Sequence, residues 1–124
     1  MEKKHLQGKG EADYDYQNDI LFFKSSEREY DSSLELDKLV LDIDKEGYVV
    51  GVQVFDASKF LNIKKNLLMK IPKWEFTATV ENNRIFFNLV FNIVIRNKII
   101  ERNPMIIERT GQDLPNSKLV CAVS

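Results

Sequence analysis

The feature that most constrains this chain is a thirteen-residue alternation of apolar residues, RIFFNLVFNIVIR, at residues 84–96. Successive side chains of a β-strand point to opposite faces, so the pattern predicts one long strand. One face is entirely apolar between the two arginines. The other face mixes two asparagines with Phe86, Val90 and Val94. A second face of this kind must be covered by another sheet or serve as an interface.

Shorter stretches of alternation lie on both sides of this strand. Asn18-Asp19 and Asn82-Asn83 are turn signals between alternating segments, and Pro104 favours an edge position or a bulge in the segment that follows. Asp37-Lys38 marks a phase break that predicts a bulge or short turn. The fold is therefore predicted to be mainly β (α+β with one short helix). We expect about eight mostly antiparallel strands in two packed sheets or a sandwich-like arrangement.

One helix is predicted at residues 57–71, because Phe60, Ile63, Leu67 and Ile71 recur at helical spacing. Asp56 or Ser58 is the expected N-cap, since both types can accept hydrogen bonds from free amides at a helix start. Pro72 ends the helix.

The chain of 124 residues suits one domain. We predict a flexible tail at residues 1–12 and a single β-rich domain at 13–124. That domain comprises an acidic hairpin half (13–56), the helix (57–71) and a basic β half (72–124). The charge asymmetry is clear: residues 1–56 carry 7 Lys/Arg and 14 Asp/Glu, whereas residues 57–124 carry 11 and 5. Such a split can indicate a basic binding face, but two oppositely charged halves, or two subunits, that pack together are favoured.

Several kinds of chemistry are excluded or disfavoured by residue counts. The chain has one histidine, His5, and one cysteine, Cys121, so it can form neither an internal disulfide nor a usual Cys/His zinc site. Cys121 alternates with apolar neighbours and is interpreted as a buried apolar residue. The five glycines match no phosphate-binding loop. No cofactor, metal ligand or catalytic residue is predicted.

Three weaker patterns leave alternatives open. DIDKEG, residues 42–47, begins like a calcium loop, but the twelfth position is Gln53 and the flanks alternate, so an acidic hairpin turn is favoured. Asp13, Asp15 and Asp19, with Tyr14 and Tyr16, could serve a small-ligand binder or enzyme, although solvated turn residues are more common. Lys64 and Lys65 are weak nucleic-acid candidates, and a solvated helix face is favoured instead.

No apolar leader or membrane-spanning segment is evident, so we expect a cytoplasmic protein without a membrane partner.

The first half of the chain resembles a family. Tyr14-Asp15, then Asp19-Ile20-Leu21-Phe22-Phe23, then Gly47, then VGVQVFDAS at residues 50–58 are similar to members of domain-of-unknown-function family 2283. The resemblance covers about residues 13–62, and Gln53 replaces the family's usual glutamate. It implies a small, mostly prokaryotic protein without an established activity. For some short members it implies a binding or antitoxin-like role beside small toxin-like proteins.

These observations favour a small, non-catalytic protein–protein interaction or structural module. A homodimer is expected, with Phe86, Val90 and Val94 as interface candidates, and another protein partner is possible. The first alternative is an antitoxin-like or nucleic-acid-associated regulatory protein, with nucleic acid the less favoured partner. The second is a ligand binder or enzyme that uses the N-terminal acids.

Overall fold

The computed structural model describes residues 3–123. The fold is mainly β, as predicted, with 58% of residues in strands and 7% in helices. Its elements, in chain order, are β1 (Lys4–Asp15), β2 (Ile20–Ser25), β3 (Ser32–Glu35), β4 (Leu39–Ile43), β5 (Val49–Val54), α1 (Ala57–Leu61), α2 (Lys65–Leu68), β6 (Trp74–Glu81), β7 (Arg84–Ile95), β8 (Lys98–Arg102), β9 (Met105–Arg109) and β10 (Ser117–Val123).

The strands form one mixed sheet, in the order β3-β4-β5-β2-β1-β10-β6-β7-β8, with β9 also paired to β7. The prediction of about eight strands in two sheets is therefore wrong. The sheet is continuous because β1 pairs along two different stretches. Residues 4–9 run parallel to β10, and residues 10–15 run antiparallel to β2. We call β2–β5 the first wing and β6–β10 the second wing.

Residues 4–12 belong to β1, where a flexible tail was expected at residues 1–12. Polar composition suggested a tail, but residues 4–9 gain a backbone hydrogen-bonding partner in β10, which lies at the opposite end of the sequence. Local composition does not reveal such a pairing. Residues 1 and 2 of the expected tail lie outside the described residues.

Aromatic side chains join the two wings in one core. Phe23 of β2 lies with its ring centroid 5.2 Å from Trp74, 5.4 Å from Phe76 and 5.6 Å from Phe87. All four residues are buried. The wings therefore pack face to face, although they belong to one sheet. Alternate residues of β6, starting at Trp74, are buried.

The single helix predicted at 57–71 is wrong, because the chain breaks it into α1 and α2 at Asn62. Asn62 has a φ of 55° and a left-handed conformation, and its backbone N–H closes the end of α1. Asparagine tolerates this conformation better than most residues. The apolar spacing continues across the break, which explains why periodicity alone predicted one helix.

The turns that orient β7 follow the expected residue types. Asn82 and Asn83, between β6 and β7, have φ values of 51° and 62°. Two consecutive left-handed residues suit a two-residue hairpin turn. The next turn, between β7 and β8, has its left-handed pair at Arg96 and Asn97. Asn103 and Pro104 interrupt the strand between β8 and β9, as the proline predicted.

Within residues 3–123, no helix is long and apolar enough to cross a membrane.

Candidate functional site

A group of exposed apolar side chains lies on the outer side of β7, β8 and β9. Odd-numbered residues of β7 from Ile85 to Ile93 are buried, so its even-numbered residues face away from the core. Residues directly opposite each other in an antiparallel pair point to the same face. Val94 lies opposite Ile99, Phe86 opposite Ile107, and Asn88 opposite Met105. The three strands therefore present one shared outer face.

We call the apolar residues of this face the outer patch: Phe86, Val90, Val94, Ile99, Met105 and Ile107. Phe86 and Val90 are partly buried by their neighbours. The exposed fractions of the other side chains are 62% for Val94, 74% for Ile99, 49% for Met105 and 54% for Ile107. The patch contains all three interface candidates from the sequence. A run of exposed large apolar side chains on adjacent strands is typical of an interaction surface.

Charged residues of opposite sign lie on the two sides of the centre of the outer patch. Arg84 and Arg109 are opposite each other at one end, and Glu101 lies opposite Asn92 toward the other. Glu75 of β6, opposite Val90, adds a second acid on the same side as Glu101. All four charged residues are exposed. Among residues 3–123, none of these four forms an ion pair.

Smaller contributions modify the charge at each end. Glu81, beside Arg84, is paired with Lys3 at 2.9 Å, so it does not cancel the two arginines. Lys73 lies just before β6 and lowers the negative charge near Glu75. Glu101 is on β8, two strands away from β6, and is the acid less affected by Lys73.

The free edge beside this face is unsuited to pairing with another strand. Asn103 and Pro104 interrupt it, and proline has no N–H to donate. Charged side chains occupy much of the remaining edge, namely Lys98, Glu101, Arg102, Glu108 and Arg109. Edges with breaks and charges resist strand addition. The accessible apolar surface is therefore the outer face and not the edge.

A second cluster of polar groups lies where the first wing meets α1. The Asp19 side chain accepts hydrogen bonds from the Tyr14 hydroxyl at 2.7 Å, from the Ser58 backbone N–H at 2.9 Å and from the Ser58 hydroxyl at 2.6 Å. Asp56 occupies the N-cap position of α1, as predicted, but the expected side-chain hydrogen bond is not made. Asp56 makes no such bond, and Asp19 supplies the carboxylate from another turn.

Both acidic groups of this corner have displaced pKa values. Burial opposes the charge of Asp19, but the hydrogen bonds from Ser58 and Tyr14 hold the pKa of this carboxyl below its ordinary value. Burial, followed by the hydrogen bond to Asp19, raises the pKa of Tyr14. The corner thus keeps a charged carboxylate and a neutral phenol at neutral pH, an arrangement in which Asp19 acts as an acceptor only.

The three N-terminal acids do not form a common site. Asp13 is exposed, Asp15 accepts hydrogen bonds from Asn18, and Asp19 is buried in the corner. The bonds from Asn18 lower the pKa of Asp15. Tyr14 and Tyr16 are in edge-to-face contact at 6.4 Å. Within residues 3–123, no cluster of three or more His, Cys, Asp or Glu residues could hold a metal ion.

The two lysine candidates have different surroundings. Lys64 is exposed at the start of α2. The Lys65 ammonium donates to the Tyr16 carbonyl oxygen at 3.2 Å and lies 5.3 Å from the centre of the Tyr16 ring. Lys65 therefore stabilises the turn after β1 and does not extend freely into solvent.

The acidic turn at 42–47 joins β4 to β5. The Asp44 carboxylate accepts hydrogen bonds from the backbone N–H groups of Glu46 and Tyr48, and it pairs with Arg28 at 2.9 Å. Gly47 has the positive φ, 89°, expected in such a turn. Asp42 accepts hydrogen bonds from Ser33 and Gln53.

His5 and Cys121 lie apart. His5 is exposed on β1, whereas Cys121 is buried, as predicted. Burial raises the pKa of the Cys121 thiol to about 11. A largely protonated, buried thiol is a poor nucleophile.

A family described as "Protein of unknown function (DUF2283)" matches residues 12–58. A protein of Methanosarcina mazei with the printed name "Putative hypoxanthine phosphoribosyltransferase" is 30% identical over 105 residues, which cover 85% of each chain. An uncharacterized protein of Methanocaldococcus jannaschii is 31% identical over 99 residues, covering 79% of this chain and 85% of that protein. No solved structure gives a significant match.

Residues 12–58 carry a DUF2283 segment, and over most of its length the chain belongs to the same family as the two archaeal proteins. The resemblance seen in the sequence is thereby confirmed over nearly the same residues. The DUF2283 segment contains Tyr14, Asp19 and Ser58, the three members of the hydrogen-bonded corner. Segments of DUF2283 that are far apart in the sequence therefore meet in the fold. The hydrogen bonds of the corner give a structural reason why a tyrosine, an aspartate and a serine occur in the same segment. The outer patch lies outside the DUF2283 segment, on the second wing.

Half of the outer patch was missed by sequence reasoning. Ile99, Met105 and Ile107 lie in the segment IIERNPMIIERT, where adjacent isoleucines leave the strand's inward and outward residues ambiguous. Pairing with β7 resolves this ambiguity, because each residue takes the face of the β7 residue opposite to it. The same pairing places Arg109 at one end of the patch and Glu101 between Met105 and the Val94–Ile99 pair.

Proposed function

We propose that this protein is a non-catalytic interaction module that forms a homodimer through the outer patch. The observation that carries the proposal is the row of exposed side chains Val94, Ile99, Met105 and Ile107 on adjacent strands. Burying such side chains stabilises an association by about 25 cal/mol per Å² of apolar area.

The surroundings of the patch support a face-to-face contact. The neighbouring edge is interrupted at Pro104 and carries charges, which disfavours the addition of a foreign strand. Charged ends around an apolar centre match the usual anatomy of protein interfaces, with a polar rim around a drier core.

The activity in the name of the Methanosarcina mazei relative is not part of this proposal. A glycine-rich loop that leads into the N-terminus of a helix is a common way for a protein to bind phosphate. In residues 3–123 the two helices have five and four residues, and the chain contains no glycine-rich phosphate motif. A binding role that needs no reaction centre is more consistent with this arrangement.

The alternatives have less support. An acid–base site would need Asp13, Asp15 and Asp19 together, and they are dispersed. A nucleic-acid surface would need Lys65 free to reach phosphate, and Lys65 is held against Tyr16.

Two methionines allow a matched test of the dimer. Met105 lies in the outer patch and is 49% exposed, whereas Met69 lies at the end of α2 and is 61% exposed. We expect Met105→Asp to raise the dimer dissociation constant at least about 100-fold. The reason is that the dimer would lose about 1.5 kcal/mol or more of association free energy at each of its two copies of Met105, because their apolar burial is lost. Sedimentation velocity over a concentration series measures this change.

The control is Met69→Asp, which should leave both dimerisation and the unfolding midpoint unchanged. The proposal is refuted if the wild-type protein is still monomeric at about 100 µM, a concentration at which even a weak dimer is populated. A Met105→Asp variant that dimerises as strongly as the wild type would also refute it.

A further inference from the structure

The opposite charges on the two sides of the outer patch favour one orientation of a second copy. We propose that two copies pack outer face to outer face with their β7 strands antiparallel, so that Arg109 of each copy contacts the partner's Glu101. This inference rests on the proposed function, since it concerns the same surface. It adds the orientation and register of the contact.

The register follows from the pairing within one copy. Arg109 lies opposite Arg84, and Glu101 lies opposite Asn92. The residue midway between positions 84 and 92 on β7 is Asn88, which lies opposite Met105. A two-fold axis through this point, perpendicular to the strands and in the plane of the interface, reverses β7. It places each Arg109 over the partner's Glu101, about 13 Å from the axis.

The same operation also matches the apolar residues. Phe86 and Val90 are equidistant from Asn88, so each Phe86 meets the partner's Val90. Met105, which lies beside Asn88, meets its own copy. Sheets that pack face to face cross at about 30°, and arginine side chains are long enough to follow the resulting offset. Apolar contacts of Phe86, Val90 and Met105 therefore occupy the centre, and an ion pair flanks them on each side, with Val94 and Ile99 lying beyond Glu101.

The opposite orientation is electrostatically unfavourable. With an axis parallel to the strands, the arginine end of one copy would cover the arginine end of the other, and the glutamates would face glutamates. Like charges brought together at an interface oppose association and suppress that geometry. Arg84, Arg109, Glu75 and Glu101 have no ion-pair partner among the described residues, so they are available to a second copy.

Exchange of charges between copies tests the orientation. In a dimer of the Arg109→Glu variant, the new glutamate of each copy faces the partner's Glu101. In a dimer of the Glu101→Arg variant, the new arginine of each copy faces the partner's Arg109. We expect each single variant to self-associate at least about tenfold more weakly at low salt. An equimolar mixture should recover association to within about threefold of wild type. The double variant Arg109→Glu/Glu101→Arg should recover it as well.

The dissociation constants are measured by sedimentation velocity for the separate variants and by fluorescence energy transfer for the labelled mixture. Arg96→Glu, which changes the net charge equally but lies in the β7–β8 turn, is the control and should leave association unchanged. Val94 and Ile99 lie near the far end of the patch, so Val94→Asp should weaken the dimer less than Met105→Asp does.

The possible failures are distinguishable. If Met105→Asp dissociates the dimer but the mixture of charge variants shows no recovery, the outer patch is the interface and the proposed orientation is overturned. If Arg109→Glu and Glu101→Arg each associate more strongly with wild type than wild type does with itself, the copies pack with arginine over arginine and glutamate over glutamate, and the proposed orientation is overturned. If Met105→Asp leaves the dimer intact, both proposals fail.

Discussion

Asp19 shows how much a single side chain contributes to this fold. Its position next to Asn18 predicted a turn, and it does take a left-handed conformation, with a φ of 57°. Sequence alone did not predict that its carboxylate would cap α1, because Ser58 lies 39 positions away along the chain. Asp56 and Ser58 are both common cap residues, so local rules favoured them. A cap from a distant turn depends on how the strands are arranged.

We expect Asp19→Asn to lower the free energy of unfolding by about 1–3 kcal/mol at neutral pH. The amide nitrogen cannot accept a bond from the Ser58 hydroxyl, and a charge-assisted bond is lost. Urea denaturation followed by tryptophan fluorescence measures the change. Asp13→Asn, at an exposed neighbouring position, is the control and should alter the stability by less than about 0.5 kcal/mol.

The difference in unfolding free energy between wild type and Asp19→Asn should depend on pH in a defined direction. The folded-state pKa of Asp19 is below its ordinary value of 3.8, so its stabilisation is present above that value. It is lost as the pH falls through the folded-state pKa, because both states then hold the proton. The stability difference between wild type and Asp19→Asn should therefore narrow in acid. A difference that widens below pH 4 or so would contradict this assignment of charge.

The elements were predicted unevenly. Strands β6 and β7 and their asparagine turn could be predicted because alternation and turn residues are local signals. The outer-patch candidates Phe86, Val90 and Val94 followed from the same alternation. The number of strands, the parallel pairing of β1 with β10 and the division of the helix could not be predicted. Each depends on contacts between distant segments or on the conformation of one residue.

Asn62 separates α1 from α2, and its conformation can be tested directly. We expect Asn62→Ala to lower the free energy of unfolding by about 1 kcal/mol, since alanine in a left-handed conformation is strained. Asn62→Gly should remain close to wild type, because glycine adopts this conformation readily. Thermal or urea unfolding distinguishes them. Asn66→Ala, within α2, is the matched control, and a loss there equal to that at Asn62 would contradict the explanation.

At the scale of the whole molecule, the sheet folds over its core around β1. Gly10 lies where β1 changes partner from β10 to β2. A Cβ atom added there would be 2.8 Å from the Cys121 Cβ and 2.8 Å from the Phe76 ring. Both neighbours are buried, and both belong to the second wing. The two wings approach β1 closely because this position has no side chain.

We therefore expect Gly10→Ala to lower the free energy of unfolding by about 2 kcal/mol or more, as overpacked core substitutions do. Gly8→Ala is the control. The nearest atoms to a Cβ there belong to the carboxylate end of Glu27, an exposed side chain that can move away. Equal stabilities of the two variants by urea denaturation would show that the approach at Gly10 is not tight.

The parallel pair of β1 and β10 also has a consequence for the order in which the fold can form during synthesis. Lys4 and Ser117 are partners in this pair but are 113 positions apart along the chain. A ribosome adds roughly 5–20 residues per second, so the first half of β1 waits several seconds for its partner. The hairpins of the first wing need no such delay, because their partners are close in sequence. During that interval the nascent chain exposes a strand edge that a chaperone or a neighbouring chain could bind.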